Sequence, residues 1–246
     1  MKRIVLLCFL LSSAAAWAQP DDEIIYYTDS KVTESKFRMH LNANPYYTDM
    51  RLINDDAANT LISSFDEDNN TRGGFAFNFG LDLYYELASS FHIGLGISRG
   101  YGGYTVESIK LDNDGDGVFS DLADDKVEVS MISIPLKVNF NTTISDVFSL
   151  EVIPMVEMNF LDSYIANFDY KDPSISDEVR NLSSDLRDFN WTVGLSLGGT
   201  YWFSDNWGVF VRASAKYMLN DMIALDSWPR ETLINFGANV GLQVKF

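Results

Sequence analysis

The sequence predicts an all-β fold, an eight-stranded antiparallel transmembrane up-and-down β-barrel with short periplasmic turns and long extracellular loops. Three observations predict it. Eight segments alternate apolar and polar side chains with period two, the connections between them alternate short and long, and 14% of the 246 residues are aromatic. No apolar run reaches the roughly 18 residues of a membrane helix, so a membrane protein written this way crosses with strands.

Period two places alternate side chains on opposite faces of a strand, and in a membrane barrel the apolar set meets lipid while the polar set meets the lumen. In the first segment Phe37, Met39, Leu41 and Ala43 face out and Lys36, Arg38, His40 and Asn42 face in. The second carries Phe75, Phe77, Phe79, Leu81, Leu83, Tyr85 and Leu87 against Ala76, Asn78, Gly80, Asp82, Tyr84 and Glu86. The third sets Phe91, Ile93, Leu95 and Ile97 against His92, Gly94, Gly96 and Ser98; Gly100, Gly102 and Gly103 then relax the pattern toward a loop. The fourth sets Ile132, Ile134, Leu136, Val138 and Phe140 against Ser133, Pro135, Lys137 and Asn139, and Pro135, lacking a ladder N–H, predicts a bulge.

The fifth carries Phe148, Leu150, Val152, Pro154, Val156, Met158 and Phe160 outward over Ser149, Glu151, Ile153, Met155, Glu157 and Asn159. The sixth carries Phe189, Trp191, Val193, Leu195 and Leu197 over Asn190, Thr192, Gly194, Ser196 and Gly198. In the seventh, Trp207, Val209, Val211, Ala213, Ala215 and Tyr217 oppose Gly208, Arg212, Ser214 and Lys216. The eighth alternates from Thr232 to Phe246. Short connections fall near 88–90, 141–146 and 204–206, long ones at about 48–72, 109–125, 164–187 and 220–230. A soluble β-sandwich or lipocalin-like barrel would bury its apolar face instead of displaying it on every strand.

Aromatic residues mark two girdles. Phe37, Phe91, Phe140, Phe148, Phe203 and Trp207 lie near the short turns; Tyr46, Tyr47, Phe75, Tyr101, Tyr104, Tyr164, Phe189 and Tyr217 lie near the long loops.

Residues 1–18 read as a secretory signal peptide: Lys2 and Arg3, an apolar stretch from Ile4 to Leu11, then Ala16-Trp17-Ala18 with cleavage after Ala18. Residues 19–34 are expected to be a periplasmic N-terminal segment and 35–246 the outer-membrane barrel. The one cysteine, Cys8, falls in the signal, leaving no thiol for a disulfide, metal or nucleophile. The formal net charge is −17. Such acidity disfavours nucleic acid and favours cations.

The stretch Ile132-Ser133-Ile134-Pro135-Leu136-Lys137 and the ending Gly241-Leu242-Gln243-Val244-Lys245-Phe246 resemble the PorT-like family of small bacterial outer-membrane barrels, within the broader OmpA-like group. The resemblance covers nearly the whole mature chain as pattern, and implies fold and location more than function. Terminal Phe246 looks like the aromatic residue read by barrel-assembly machinery. Expected partners are therefore outer-membrane lipid, that machinery through the last strand, and an envelope protein, with no nucleic acid.

Inward positions hold Arg38, His40, Arg99, Lys137, Arg212, Lys216 and Lys245 with Asp82, Glu86, Glu151 and Glu157, a near balance of signs that must pair. Lys137 and Glu151 flank a short turn and are expected to face each other across it. An eight-stranded barrel is just filled by its side chains, so a plugged lumen is expected; a narrow conduit for ions or small solutes is the alternative.

The sharpest local motif is Asp112-Asn113-Asp114-Gly115-Asp116-Gly117-Val118-Phe119-Ser120-Asp121. Calcium takes six to eight oxygens, and aspartates at positions one, three and five, glycine at six and a carbonyl at seven converge on one point. The candidate Ca2+ ligands are Asp112, Asp114, Asp116 and Val118, with Asp121 or Asp124 closing the shell because position twelve is Ala123. The motif resembles EF-hand-like calcium loops in part; a solvated acidic turn has the same composition. For catalysis only His40 and His92 are available, and no spacing gives either a nucleophile at an accessible rim, so both read as satisfied lumen histidines and no catalytic residue is assigned. The expected role is a non-enzymatic structural or interaction barrel of the envelope; the alternatives are a narrow channel and a PorT-like accessory to protein secretion.

Overall fold

The structure is a computed structural model that describes residues 36–52, 71–111, 121–224 and 231–246. The expected signal peptide and segment 19–34 lie outside the described residues. Strands β1 (Phe37–Leu52), β2 (Thr71–Ala88), β3 (Phe91–Leu111), β4 (Asp121–Ser145) and β5 (Phe148–Tyr170) form one half of the chain. They are followed by the four-residue β6 (Glu178–Asn181), a 3-10 turn at Ser183–Asp185, and β7 (Asn190–Trp202), β8 (Trp207–Met218) and β9 (Glu231–Lys245).

Every pairing is antiparallel, each long strand beside its sequence neighbours except that β7 follows β5. β1 pairs with both β2 and β9, which closes eight strands into a ring; β6 is an addition at the upper end of β5. Closure leaves no edge in the ring, so apart from the rungs at Pro135 the ladders within the membrane satisfy their own backbone.

The alternation holds through the membrane span. On β5, Glu151, Ile153, Met155, Glu157 and Asn159 are buried while Leu150, Val152, Val156 and Phe160 are exposed. Glycine is required where the lumen is tightest. A Cβ on Gly94 would lie 2.5 Å from the Tyr84 ring, and one on Gly96 would lie 2.0 Å from Oδ1 of Asp82. Gly241 serves the seam, since a Cβ there would meet the Leu41 carbonyl oxygen at 1.9 Å.

Four expectations change. The strands are taller than the alternation suggests. β3 runs straight through Gly100, Gly102 and Gly103 to Leu111, and β5 continues to Tyr170. There is no bulge at Pro135, which pairs with Glu157 in step with its neighbours. On its other side the ladder passes from Leu95–Leu136 to Ser98–Ser133 without a register change, so the missing N–H leaves unbonded rungs, not a slip.

The bulge sits instead on β5. Ser130 pairs with Ser163 but Met131 pairs with Leu161, leaving Asp162 as the extra residue. Finally, Tyr46, Tyr104 and Tyr164 leave the upper girdle. Tyr104 and Tyr164 are buried, their hydroxyls 3.0 Å apart inside the barrel, and Tyr46 lies on the inward face with Asn44 and Thr48. The outer aromatics Phe75, Tyr47, Tyr101, Phe189 and Tyr217 remain exposed, and Phe91 and Phe140 pack together at the lower end.

The bulge inverts the inside-outside rule. Below it, odd-numbered β5 side chains point inward and are mostly polar; above it, Tyr164, Ala166, Phe168 and Tyr170 point inward and are apolar. On β4 the sequence itself changes phase, with Val127 and Val129 inward where Ile132, Ile134 and Leu136 had been outward. The barrel therefore continues beyond the bilayer as a water-soluble barrel does, apolar inside and polar outside.

Candidate functional site

The lumen is built from two layers. In the membrane span, four carboxylates each take a cation. Asp82 accepts from Lys137 Nζ at 2.7 Å and from Asn42 at 2.9 Å. Glu151 accepts from Arg212 Nε at 2.6 Å, Glu157 from Lys216 Nζ at 2.8 Å, and Glu86 from Arg38 at 3.1 Å. The rest of the cross-section is stitched by amides and hydroxyls, as where Asn159 donates to Thr192 at 2.7 Å and Ser133 donates to Asn159 at 2.6 Å. Charged pairs out of water persist only with such additional partners.

Two placements differ from expectation. Lys137 and Glu151 do not face each other. The turn of the β4–β5 hairpin lies farther from Lys137 than a symmetric reading implies, so Lys137 pairs with Met155 and Asn141 with Glu151. Lys137 instead crosses to Asp82 on β2, and Glu151 crosses to Arg212 on β8.

Arg99 is not in the lumen. It follows Ile97 on the outward face, its guanidinium 5.3 Å from the Tyr101 ring centroid and 2.5 Å from Asp162, which also accepts from Ser130 at 2.5 Å. Sequence alone missed this outer cluster because Asp162 turns outward beside Arg99 only through the bulge.

Both histidines are fully buried. His92 is satisfied as expected, with Nε2 3.2 Å from Glu86 and Nδ1 3.0 Å from Asn141. His40 is not: it lies against Tyr84 at 4.3 Å and Phe210 at 5.3 Å between ring centroids, and neither ring nitrogen has a hydrogen-bond partner among the described residues. A buried polar group without a partner costs about 1–3 kcal/mol. His40→Phe is accordingly expected to be at least as stable as the wild type, read as the temperature at which the folded band is lost in unheated-versus-heated electrophoresis.

Above the bulge the lumen is filled by an apolar cluster that includes Met50, Tyr104, Val127, Tyr164, Phe168 and Leu233. Two chain segments cap it. Met222 and Ile223 insert from one, Leu182 and Leu186 pack from the other, and the segments bond to each other through Arg187 N–H to Met222 O at 3.0 Å and Ala224 N–H to Asp185 O at 2.8 Å. An ion pair of Arg187 with Asp221 at 2.7 Å ties the cap from outside.

Of the candidate calcium ligands, Asp112, Asp114, Asp116 and Val118 lie outside the described residues. Asp121 opens β4 with its backbone paired to Leu111, the last residue of β3. Asp124 is ion-paired with Lys171, a bond that raises the lysine pKa. Among the described residues no group of three or more His, Cys, Asp or Glu is arranged to hold a metal.

A closed ring of eight antiparallel strands, ion-paired inside and apolar outside between two aromatic belts, defines a small transmembrane β-barrel of the bacterial outer membrane. The chain belongs to the outer membrane protein beta-barrel domain family, whose model matches residues 17–224. No curated protein matches the sequence. Among solved structures it is similar to neisserial surface protein A (NspA), with 13% identity, 86% of this chain and 98% of that chain covered, and a TM-score of 0.43. It is also similar to OprG from Pseudomonas aeruginosa, with 11% identity, 87% and 96% coverage, and a TM-score of 0.45. Ail, the attachment invasion locus protein of Yersinia pestis, shows 12% identity, 85% and 99% coverage, and a TM-score of 0.36.

Proposed function

We propose that this protein is a non-enzymatic barrel with a structural or interaction role in the envelope, working through its outer loops and outer wall while its lumen stays plugged. The observation that carries the reading is the double filling of the lumen, with paired charges in the membrane span and an apolar cluster beneath a cap of two bonded segments. Water and ions need a continuous polar path, and the apolar cluster around Tyr164 and Phe168 interrupts one. Planar-bilayer recording of the purified barrel is expected to show no reproducible conductance steps. Discrete, voltage-stable steps would overturn the plugged lumen and favour the narrow channel.

Calcium binding by the acidic motif between β3 and β4 in sequence is part of this proposal, as a clamp on an outer loop. The support is the one-three-five spacing of Asp112, Asp114 and Asp116 in the sequence between β3 and β4. Asp124 would have to exchange Lys171 for the ion. Millimolar calcium is expected to raise the unfolding temperature of the wild type but not of Asp114→Ala or Asp116→Ala; equal temperatures with and without calcium would remove the site. A PorT-like part in protein secretion rests on the resemblance of residues 132–137 and 241–246, and unaltered secretion after gene deletion would end it.

A further inference from the structure

We propose that the cap is a flap that lifts from the barrel mouth as one piece, opening an apolar cup to the outside while the membrane span beneath stays sealed. The open cup takes a small apolar molecule in place of the flap's own side chains. The dead end of the cup rests on the plugged membrane span; the lifting of the flap does not.

β6 and β7 are two pieces of one barrel strand. β7 pairs with β5 from Phe148 to Asn159, and β6 pairs with it from Ile165 to Phe168, both on the side away from β4. Between them the chain leaves the wall. Asn190 stands opposite Asn159 and Asn181 opposite Ile165, so nine steps of chain cover six steps of β5. The surplus of three residues, about 10 Å of extended chain, lets residues 182–189 lean over the mouth or draw back without breaking either pairing. A chain that had only to continue the wall would carry no surplus and would keep its ladder.

The flap is one body because it prolongs the β7–β8 ladder. Thr192 pairs with Met218, and Leu219 N–H donates to Trp191 O at 2.7 Å. Farther along, Leu186 bridges Ile223, flanked by the bonds from Arg187 N–H to Met222 O and from Ala224 N–H to Asp185 O. These bonds join the two segments to each other, so they travel with the flap. Its root is the upper girdle, where the Phe189 and Trp191 rings pack edge to face at 5.8 Å between centroids. Into the cup it sends Met222 and Ile223, both buried. Such contacts are apolar and non-directional, and a methionine re-packs readily.

The cup stands without the flap. Its walls are Met50 on β1, Tyr104 on β3, Val127 on β4, Tyr164 and Phe168 on β5, and Leu233 on β9, all on strands held by their own ladders. At its lower end Tyr164, the first inward residue above the bulge, meets Tyr104 hydroxyl to hydroxyl at 3.0 Å. Below lies the ion-paired layer of Asp82–Lys137 and Glu151–Arg212. Lifting the flap therefore leaves an apolar pocket with one polar spot at its base, the make-up of a small-molecule site, and not a channel. Because protein interiors are close-packed, the guest replaces what leaves, two side chains of about eight heavy atoms together.

Residue-resolved hydrogen exchange of the full barrel in lipid nanodiscs tests the flap. The amides of Arg187 and Ala224 are expected to exchange at least about tenfold faster than the ladder amides of residues 125–129 and 164–168. Equal protection would overturn the flap. Ile223→Glu, which sets a charge against the apolar cup, is expected to strip protection from the flap amides and leave those ladder amides protected. Loss of both together would show one indivisible core and overturn the flap as well. For the guest, p-xylene is added to the same nanodiscs and methyl NMR signals are followed. The Val127, Val129 and Leu233 methyls are expected to shift saturably, with Leu81 and Ile97 on the lipid face reporting simple partition into the bilayer. Shifts confined to the lipid-facing methyls would overturn the cup as a binding site. Conductance plays no part in any of these outcomes, so the flap and the sealed span can fail separately.

Discussion

Deleting Asp162 is expected to dismantle the extramembrane half of the barrel, whereas Asp162→Gly is expected to leave it standing. The difference is one of counting. Asp162 is the extra residue of the β5 bulge, and its presence lets Leu161 point inward below it and Tyr164 point inward above. A one-residue change of register turns every side chain beyond it to the other face. Without residue 162, Tyr164, Ala166, Phe168 and Tyr170 would turn to water, and Ile165, Asn167 and Asp169 would turn into the apolar cluster.

Each large apolar side chain withdrawn from burial forfeits about 1.5–3 kcal/mol, so three aromatics alone account for roughly 5–9 kcal/mol, comparable with the whole stability of many domains. Asp162→Gly keeps the count and removes the partly exposed ion pair with Arg99 and the hydrogen bond from Ser130, together worth about 1–2 kcal/mol. Limited proteolysis in proteoliposomes checks this. The deletion should expose residues 164–187 to cleavage while the membrane span remains protected, and equal resistance of both variants would refute the role of the bulge.

Arg212→Leu is expected to cost about 3–5 kcal/mol, and Arg212→Leu combined with Glu151→Leu to recover most of it. Both side chains are almost wholly enclosed, and Glu151 accepts directly from Arg212 Nε at 2.6 Å. Removing the arginine alone leaves a carboxylate with Asn139, at 3.5 Å, as its only other side-chain donor among the described residues. Removing both trades an ion pair for apolar contact beside Phe210, over whose ring Arg212 lies at 3.8 Å. Urea unfolding in lipid vesicles, followed by the loss of the compact electrophoretic form, gives the comparison. A single variant as stable as the double would show that the pair is not what holds this layer.

Much of the fold could be read from the chain because a membrane barrel writes itself in a simple code. Leu81, Leu83 and Tyr85 between Asp82, Tyr84 and Glu86 admit one arrangement in lipid, and β2 adopts it. The eight strands, their order and the inward carboxylates follow from that code. The code stops at the membrane surface. Past Ser130 the solvent changes, the apolar face is wanted inside, and Val127, Tyr164 and Phe168 then look like loop residues to a rule written for lipid. The Lys137–Glu151 pairing failed for a related reason: a hairpin identifies neighbours, but lumen side chains meet partners across the ring, Asp82 and Arg212 here.

The sequence by itself determined that this chain is a membrane barrel of eight strands with a charged interior, since period-two alternation is a local property and lipid enforces it strand by strand. Only the tertiary structure decided which cation meets which carboxylate, that the strands rise beyond the bilayer over an apolar core, and that Arg99 stands on the outer wall beside Asp162. Those features depend on register across a closed ring and on the bulge at Asp162, and register is settled by all the strands together.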